Sequence, residues 1–296
     1  MKQSDQEVAP GYPVFLGSEI EQPDPDQAFF HVLPVPFEDS VSYGGGTAMG
    51  PSAILEASWQ LEVWDGKSIP SKHGIYTHPP VDCEGEAEAV IEGISQAVQQ
   101  IVAREGFPVV LGGEHTVTYG VILGLIEAGI TDFGVVQIDA HADLRDAYEG
   151  NLYSHASVMK RIADLDVPIY QLGIRAMCEE EVQARKLYEI EHIDAEVLVK
   201  KNIFKFDLPD DFPDKVFFTV DVDGFDPSVF PSTGTPVPGG LSWYQVLSLF
   251  ESVSQQAKII GFDIMEFAPI EGFHAYEFSA ALLTHKMMGI VARNQL

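Results

Sequence analysis

After an opening punctuated by Pro10, Pro13, Pro23 and Pro25, apolar runs of strand length alternate with longer stretches of helical period along the chain. That alternation is the signature of βα units and a parallel sheet, whose strands are buried on both faces and read as continuous apolar runs. The clearest helix is predicted over 86–104, where Val90, Ile91, Ile94, Val98, Ile101 and Val102 share one face. Glu86 and Glu88 fall in its first turn, Arg104 in its last, and Gly106 follows, so charge and stop signals agree with the period. Further helices are predicted near 51–64, 116–128, 155–165, 242–255 and 276–291. No internal repeat, linker or low-complexity tract breaks the pattern. A single domain over 1–296 is expected, with a loose N-terminal segment over 1–28.

Four of the strand candidates share a feature beyond periodicity. FPVVLGG runs into Glu114 and His115, FGVVQI into Asp139, VFFTV into Asp221, and IIGFDIM into Glu266. In open α/β sheets ligands bind outside the carboxyl ends of the strands, which would gather these distant residues in one place. Carboxylates at the ends of buried strands are costly without a counter-charge, and a bound cation is the natural one.

The densest motif is Asp139-Ala140-His141-Ala142-Asp143, with ionisable side chains at every second position; in an extended strand end they project from one side. Asp221 and Asp223 form a second same-side pair, and His115 in GGEH adds another imidazole. A DxD at a strand end is by itself commonly a turn or cap signal. Three such motifs, each ending a buried strand and none containing a basic residue, leave four clustered anions that only a cation explains. Oxygen and nitrogen donors without thiolate suit a hard-to-borderline divalent ion such as Mn²⁺, and six ligands are enough for two ions sharing a carboxylate. Gly44, Gly45 and Gly46 are read as a tight turn, because no phosphate-loop Lys follows. His31, His73, His78, His192, His274 and His285 match no ligand spacing.

Charge narrows the partners. Seventeen Lys and Arg against 45 Asp and Glu give a formal net charge of −28, which disfavours nucleic acid and attracts a small cationic substrate; the same charge also serves solubility. The first ten residues lack an apolar run and no later stretch has membrane-spanning length, so a cytoplasmic protein without a membrane partner is expected. Two cysteines, Cys83 and Cys178, make no disulfide framework and fit a reducing compartment.

GGEHT at 112–116, QIDAHADLRD at 137–146, FTVDVDGFDPSVFPSTGTPVPGG at 218–240 and GFDIMEFAP at 261–269 resemble the signature segments of the ureohydrolases, the arginase and agmatinase family. SYGGGTAMGPSAILEAS at 42–58 is similar to that family's Gly-rich segment. The resemblance implies a three-layer α/β/α fold with a parallel, roughly eight-stranded sheet, two Mn²⁺ per chain and a homo-oligomer, trimer or hexamer. It places His115 and Asp143 on one ion and His141 and Asp223 on the other, with Asp139 and Asp221 bridging. Two such ions turn a shared water into a nucleophile near neutral pH, which the poorly electrophilic guanidinium carbon requires. Glu266 then corresponds to the carboxylate that holds the substrate guanidinium, Asp143 to the group that relays a proton to the leaving amine, and His155 in YSHAS to an imidazole that shuttles protons and contacts substrate. A helix-capping role for His155 and a strand-end salt bridge for Glu266 are the structural alternatives.

LRDAYEGNLYSHAS at 144–157 and LGIRAMCEEE at 172–181 look like agmatinase, and the expected reaction is agmatine plus water to putrescine plus urea. Glu179, Glu180 and Glu181 would suit the free amine of agmatine, or simply start a solvated helix. Val237, where many agmatinases have Glu, and the segment APIEGFHAYEF leave aminopropylagmatine, guanidinobutyrate or arginine as alternative substrates. A non-catalytic metal-binding protein of the same fold would predict a damaged ligand set, and none of the six positions is damaged. A mononuclear zinc deacetylase would leave His115 without a use.

Overall fold

The alternation of apolar runs and amphipathic stretches closes into one sheet. In a computed structural model that describes residues 11–296, the strands are β1 (Phe30–Val35), β2 (Ile75–Thr77), β3 (Phe107–Gly112), β4 (Gly134–Ile138), β5 (Ile169–Leu172), β6 (Glu191–Ile193), β7 (Lys215–Asp221) and β8 (Lys258–Met265). They pair in the order β2-β1-β3-β8-β7-β4-β5-β6, every pairing parallel. The helices are α1 (Gly50–Ala57), α2 (Ala87–Ala103), α3 (Val117–Glu127), α4 (Val158–Ala163), α5 (Glu179–Leu187), α6 (Ala195–Lys200), α7 (Trp243–Ser254) and α8 (Ala275–Gln295).

Alternation along each strand divides the apolar residues between two cores. Val109 and Leu111 of β3, Phe218 and Val220 of β7, and Phe262 and Ile264 of β8 face α1, α7 and α8. Val110, Val135 and Phe217 face α2, α3 and α4 on the other side. Helices thus cover both faces, giving the three layers that parallel strands require. In α2, Val90, Ile91, Ile94, Val98 and Ile101 are buried, while Val102, read onto the same face, is half-buried. Burying side chains of this size stabilises by roughly 1.5–3 kcal/mol each.

Two expectations change. The helix predicted over 51–64 ends at Ala57 and passes into a tight turn at Ser58–Gln60. Of the segment read as loose, residues 1–10 lie outside the described residues, but 11–28 is anchored. Phe15 and Leu16 are buried, and their backbone N–H groups donate to Thr77 Oγ1 at 3.0 Å and Ser58 Oγ at 2.8 Å. Proline spacing hid that anchor, because two apolar residues carry it. Among the described residues no helix is long and apolar enough to cross a membrane.

Candidate metal centre

Strands β3, β8, β7 and β4 are consecutive neighbours in the sheet, so the residues at their carboxyl ends meet. His115 follows β3, Glu266 follows β8, Asp221 ends β7 and Asp139 follows β4. The chain reaches His115 through a close passage at Gly113, where a Cβ would lie 1.9 Å from the Phe37 carbonyl oxygen, so only glycine fits.

The metal motifs converge by turning rather than by strand alternation. Strand β4 ends at Ile138, and Asp143 has φ +53°, a left-handed backbone, so Asp139, His141 and Asp143 wrap around a point instead of projecting from one face. Asp223 likewise lies in a tight turn, Val222–Gly224, and its N–H donates to Asp221 Oδ1 at 2.8 Å. A strand's period would spread ligands along a line, whereas coordination needs them around a centre.

Two groups of donors result, each with its ligand atoms within 4.8 Å of one another: His115, Asp139 and Asp221, and Asp139, His141 and Asp223. Asp139 belongs to both. His115 Nδ1 lies 3.0 Å from Asp143 Oδ2, 3.1 Å from Asp139 Oδ2 and 3.6 Å from Asp221 Oδ2, yet forms no well-aligned hydrogen bond with any of them. Its Nε2 lies 2.9 Å from Thr219 Oγ1. With the ring proton directed to Thr219, the Nδ1 lone pair faces three carboxylates, an arrangement that fits a cation between them. His141 Nδ1 lies 2.9 Å from Asp223 Oδ2.

The electrostatics agree. Burial drives the Asp143 carboxyl up to about 7, with Asp139 adding repulsion, and burial together with Asp223 and Asp139 drives Asp221 well above the usual carboxylate range. Burial disfavours charge on His141, but Asp139 and Asp223 outweigh it and raise the imidazole to about 11; His115 is raised against the same penalty by Asp139 and Asp143. Among the described residues no Lys or Arg pairs with Asp139, Asp143, Asp221 or Asp223. Arg175, beside the Asp223 turn, donates instead to the carbonyls of Asp223, Phe225 and Val237. A field that holds protons on two imidazoles is a field that holds a divalent cation in their place.

The profile of the arginase family matches residues 28–289. The chain belongs to the arginase family. It is 39% identical over 290 residues to the N(1)-aminopropylagmatine ureohydrolase of Synechocystis sp., covering 95% of this chain and 94% of that protein. The agmatinase of Pyrococcus horikoshii is 33% identical over 282 residues, covering 93% and 96%. The crystal structure of the agmatine ureohydrolase of Thermoplasma volcanium superposes with a TM-score of 0.81 at 27% identity, covering 95% of this chain and 96% of that one. This chain is therefore a ureohydrolase, a hydrolase of guanidino carbon–nitrogen bonds.

The ureohydrolase cleft, about 380 Å³, is lined by His141, Asp143, His155, Asp221 and Glu266, with Tyr148 at its wall. Glu266 has φ +60°, and its Oε1 accepts the His115 N–H at 2.7 Å; burial and the neighbouring Glu114 raise its carboxyl well above the usual range. His155 stands at a helix start, as read from the sequence, but its ring nitrogens meet serines and do not cap the helix. It lies in a tight turn, His155–Ser157, ahead of α4, with Ser40 Oγ 2.8 Å from Nδ1 and Ser42 Oγ 2.8 Å from Nε2. Burial lowers this imidazole to about 4, with His115 and His141 adding to the effect.

Several site residues were not singled out by the motifs. Ser40 and Ser42 hold His155, and Glu114 in turn accepts from the N–H groups of Asp39 and Ser40 at 2.7 and 2.6 Å. Glu38 accepts from Gly46 and Ala48, fixing the Gly-rich loop as a turn. Serines in loops carry no spacing signal; only their position beside the strand ends reveals them. Of the acidic run, Glu181 is buried and accepts from the Cys178 and Leu144 N–H groups, so it is a helix-start residue. Glu179 and Glu180 are exposed on a shallow outer pocket that shares Arg145 and Cys178 with the cleft. His274 lies exposed at the start of α8, away from the donor groups.

Proposed function

We propose that this ureohydrolase works with two Mn²⁺ and releases urea from a cationic guanidino-alkylamine, with N(1)-aminopropylagmatine preferred over agmatine. The observation that carries the chemistry is the pair of donor groups sharing Asp139. His115 and Asp143 would hold one ion and His141 and Asp223 the other, with Asp139 and Asp221 between them. Donors restricted to oxygen and nitrogen favour Mn²⁺ over a thiolate-bound metal. When bound, such a pair lowers the pKa of a water toward neutrality and makes it a nucleophile.

The chain's own residues supply orientation and proton traffic. Glu266, tethered through Oε1 to the His115 N–H, offers its other oxygen to the substrate guanidinium, placing the electrophilic carbon next to the donor groups. Asp143, which lines the cleft beside the donor groups, is the carboxylate that would relay a proton to the leaving amine. Both ring nitrogens of His155 face serine hydroxyls, which can donate or accept, so the imidazole keeps its place whichever nitrogen carries the proton.

The preference for the longer substrate rests on the relative of Synechocystis named for it and on the outer pocket, where Glu179 and Glu180 would receive an extended ammonium chain. Agmatine is the second reading, favoured by the agmatinase names among the relatives. Urea release measured on aminopropylagmatine, agmatine, arginine and guanidinobutyrate tests the choice. The expected order of kcat/KM is aminopropylagmatine, then agmatine, with the two carboxylate-bearing compounds at least tenfold lower; preference for arginine or guanidinobutyrate would contradict the assignment.

A further inference from the structure

Across the sheet face that covers α2, α3 and α4, four buried polar residues stand in register on adjacent strands: Gln171 on β5, Gln137 on β4, Thr219 on β7 and Asp263 on β8. A polar row in the centre of a parallel sheet is costly unless every group is partnered. Its Gln half is partnered in one direction. Arg185 Nε, on α5, donates to Gln171 Oε1 at 3.0 Å. Gln171 Nε2 donates to Gln137 Oε1 at 2.7 Å and to the Ala142 carbonyl at 2.8 Å. Gln137 Nε2 donates to Asp139 Oδ2 at 2.7 Å.

The chemistry of the two ends fixes that direction. A guanidinium can only donate and a carboxylate can only accept, so neither amide between them can turn over without setting like groups against each other. Arg185 is itself buried, with Nη1 3.0 Å from Asp194 Oδ1 at the far side. Its charge therefore begins a line of aligned dipoles that ends on the carboxylate common to both donor groups. The branch to Ala142 grips the backbone between His141 and Asp143, so one array holds three of the six donors.

We propose that Arg185, acting through Gln171 and Gln137, is a positioning residue for the metal centre, keeping Asp139 oriented and the 139–143 turn closed around the ions. This rests on the reading of Asp139 as a shared metal ligand. Asp139 Oδ1 accepts the His141 N–H at 2.6 Å, so with Gln137 on Oδ2 both carboxylate oxygens are held in place before any ion arrives. Without Arg185, Gln171 Oε1 loses its buried donor, and the amide pair that grips Asp139 and the Ala142 carbonyl loses the anchor that holds it in place.

The test compares wild type, Arg185→Met, Arg185→Lys and Gln171→Glu for Mn²⁺ affinity, read from the free-ion electron paramagnetic resonance signal, alongside circular dichroism and the pH profile of urea release. Gln171→Glu keeps shape and an acceptor for Arg185 but cannot donate onward. Arg185→Met and Gln171→Glu are expected to remain folded, to bind Mn²⁺ about tenfold to a hundredfold more weakly, and to shift the acid limb of the profile, with Arg185→Lys partly restoring both. If Arg185→Met fails to fold, Gln171→Glu alone decides. Wild-type affinity and an unshifted profile in a folded variant would overturn the proposal while leaving the metal centre intact. A wild-type protein that bound no Mn²⁺ would overturn the metal centre itself, and this inference with it.

Discussion

Asp143 and Glu266 both hold left-handed backbone conformations that cost non-glycine residues roughly 1–3 kcal/mol each. Both line the cleft, so the strain sits where side chains must be aimed. Glu266 combines two features: its Oε1 accepts the His115 N–H, and its carboxyl lines the cleft where the proposed guanidinium contact would lie. Glu266→Gln separates them, since an amide oxygen still accepts from His115 but the charge is gone. Steady-state kinetics should show kcat/KM lowered on the order of a hundredfold with Mn²⁺ content unchanged. Loss of metal with substrate affinity retained would assign Glu266 to the metal instead. The clustered carboxylates and imidazoles were legible in the sequence because Asp and His recur at short spacing where apolar runs stop. Gln137 and Gln171 were not, because a lone amide inside an apolar run looks like noise until the register of β4 and β5 sets the two side by side.

At the scale of elements, α2, α3 and α7 were legible from period and caps, and their observed ends fall within one residue of those predicted. Strand β6, with the sequence EHI, was not, because it is a short, exposed edge strand whose pairing comes only from β5. The opposite edge carries a pH-sensitive contact. His31 on β1 and His78, just after β2, lie 2.8 Å apart, Nδ1 to Nε2, a distance that suits a shared proton between neutral rings. Burial, then His31, then Arg104 lower His78 to about 3; burial first, with Arg104 adding to it, lowers His31. The native state therefore binds fewer protons than the unfolded chain between about pH 6.5 and about pH 3, so stability rises with pH across that window and is lost on acidification. Melting temperatures recorded from pH 7 to pH 4 should fall more steeply for wild type than for His78→Gln. Parallel slopes would show that the pair does not contribute.

At the scale of the molecule, the order of the sheet converts four distant segments into one site, because β3, β8, β7 and β4 are neighbours. The formal charge of −28 favours small cations over polyanions as partners of the molecule. Fold and reaction class were legible because the motifs are long and ordered; the outer pocket was not, since it arises only when Glu179 and Glu180 on α5 fold beside Arg145. The proposed mechanism stands on a pair of ions sharing Asp139. Metal-depleted protein titrated with Mn²⁺, with bound metal and urea release followed together, tests it most directly. Activity that rises to a plateau at two ions per chain, and both binding steps weakened in Asp139→Asn, is the predicted result; full activity at one ion per chain, or binding untouched by Asp139→Asn, would contradict it.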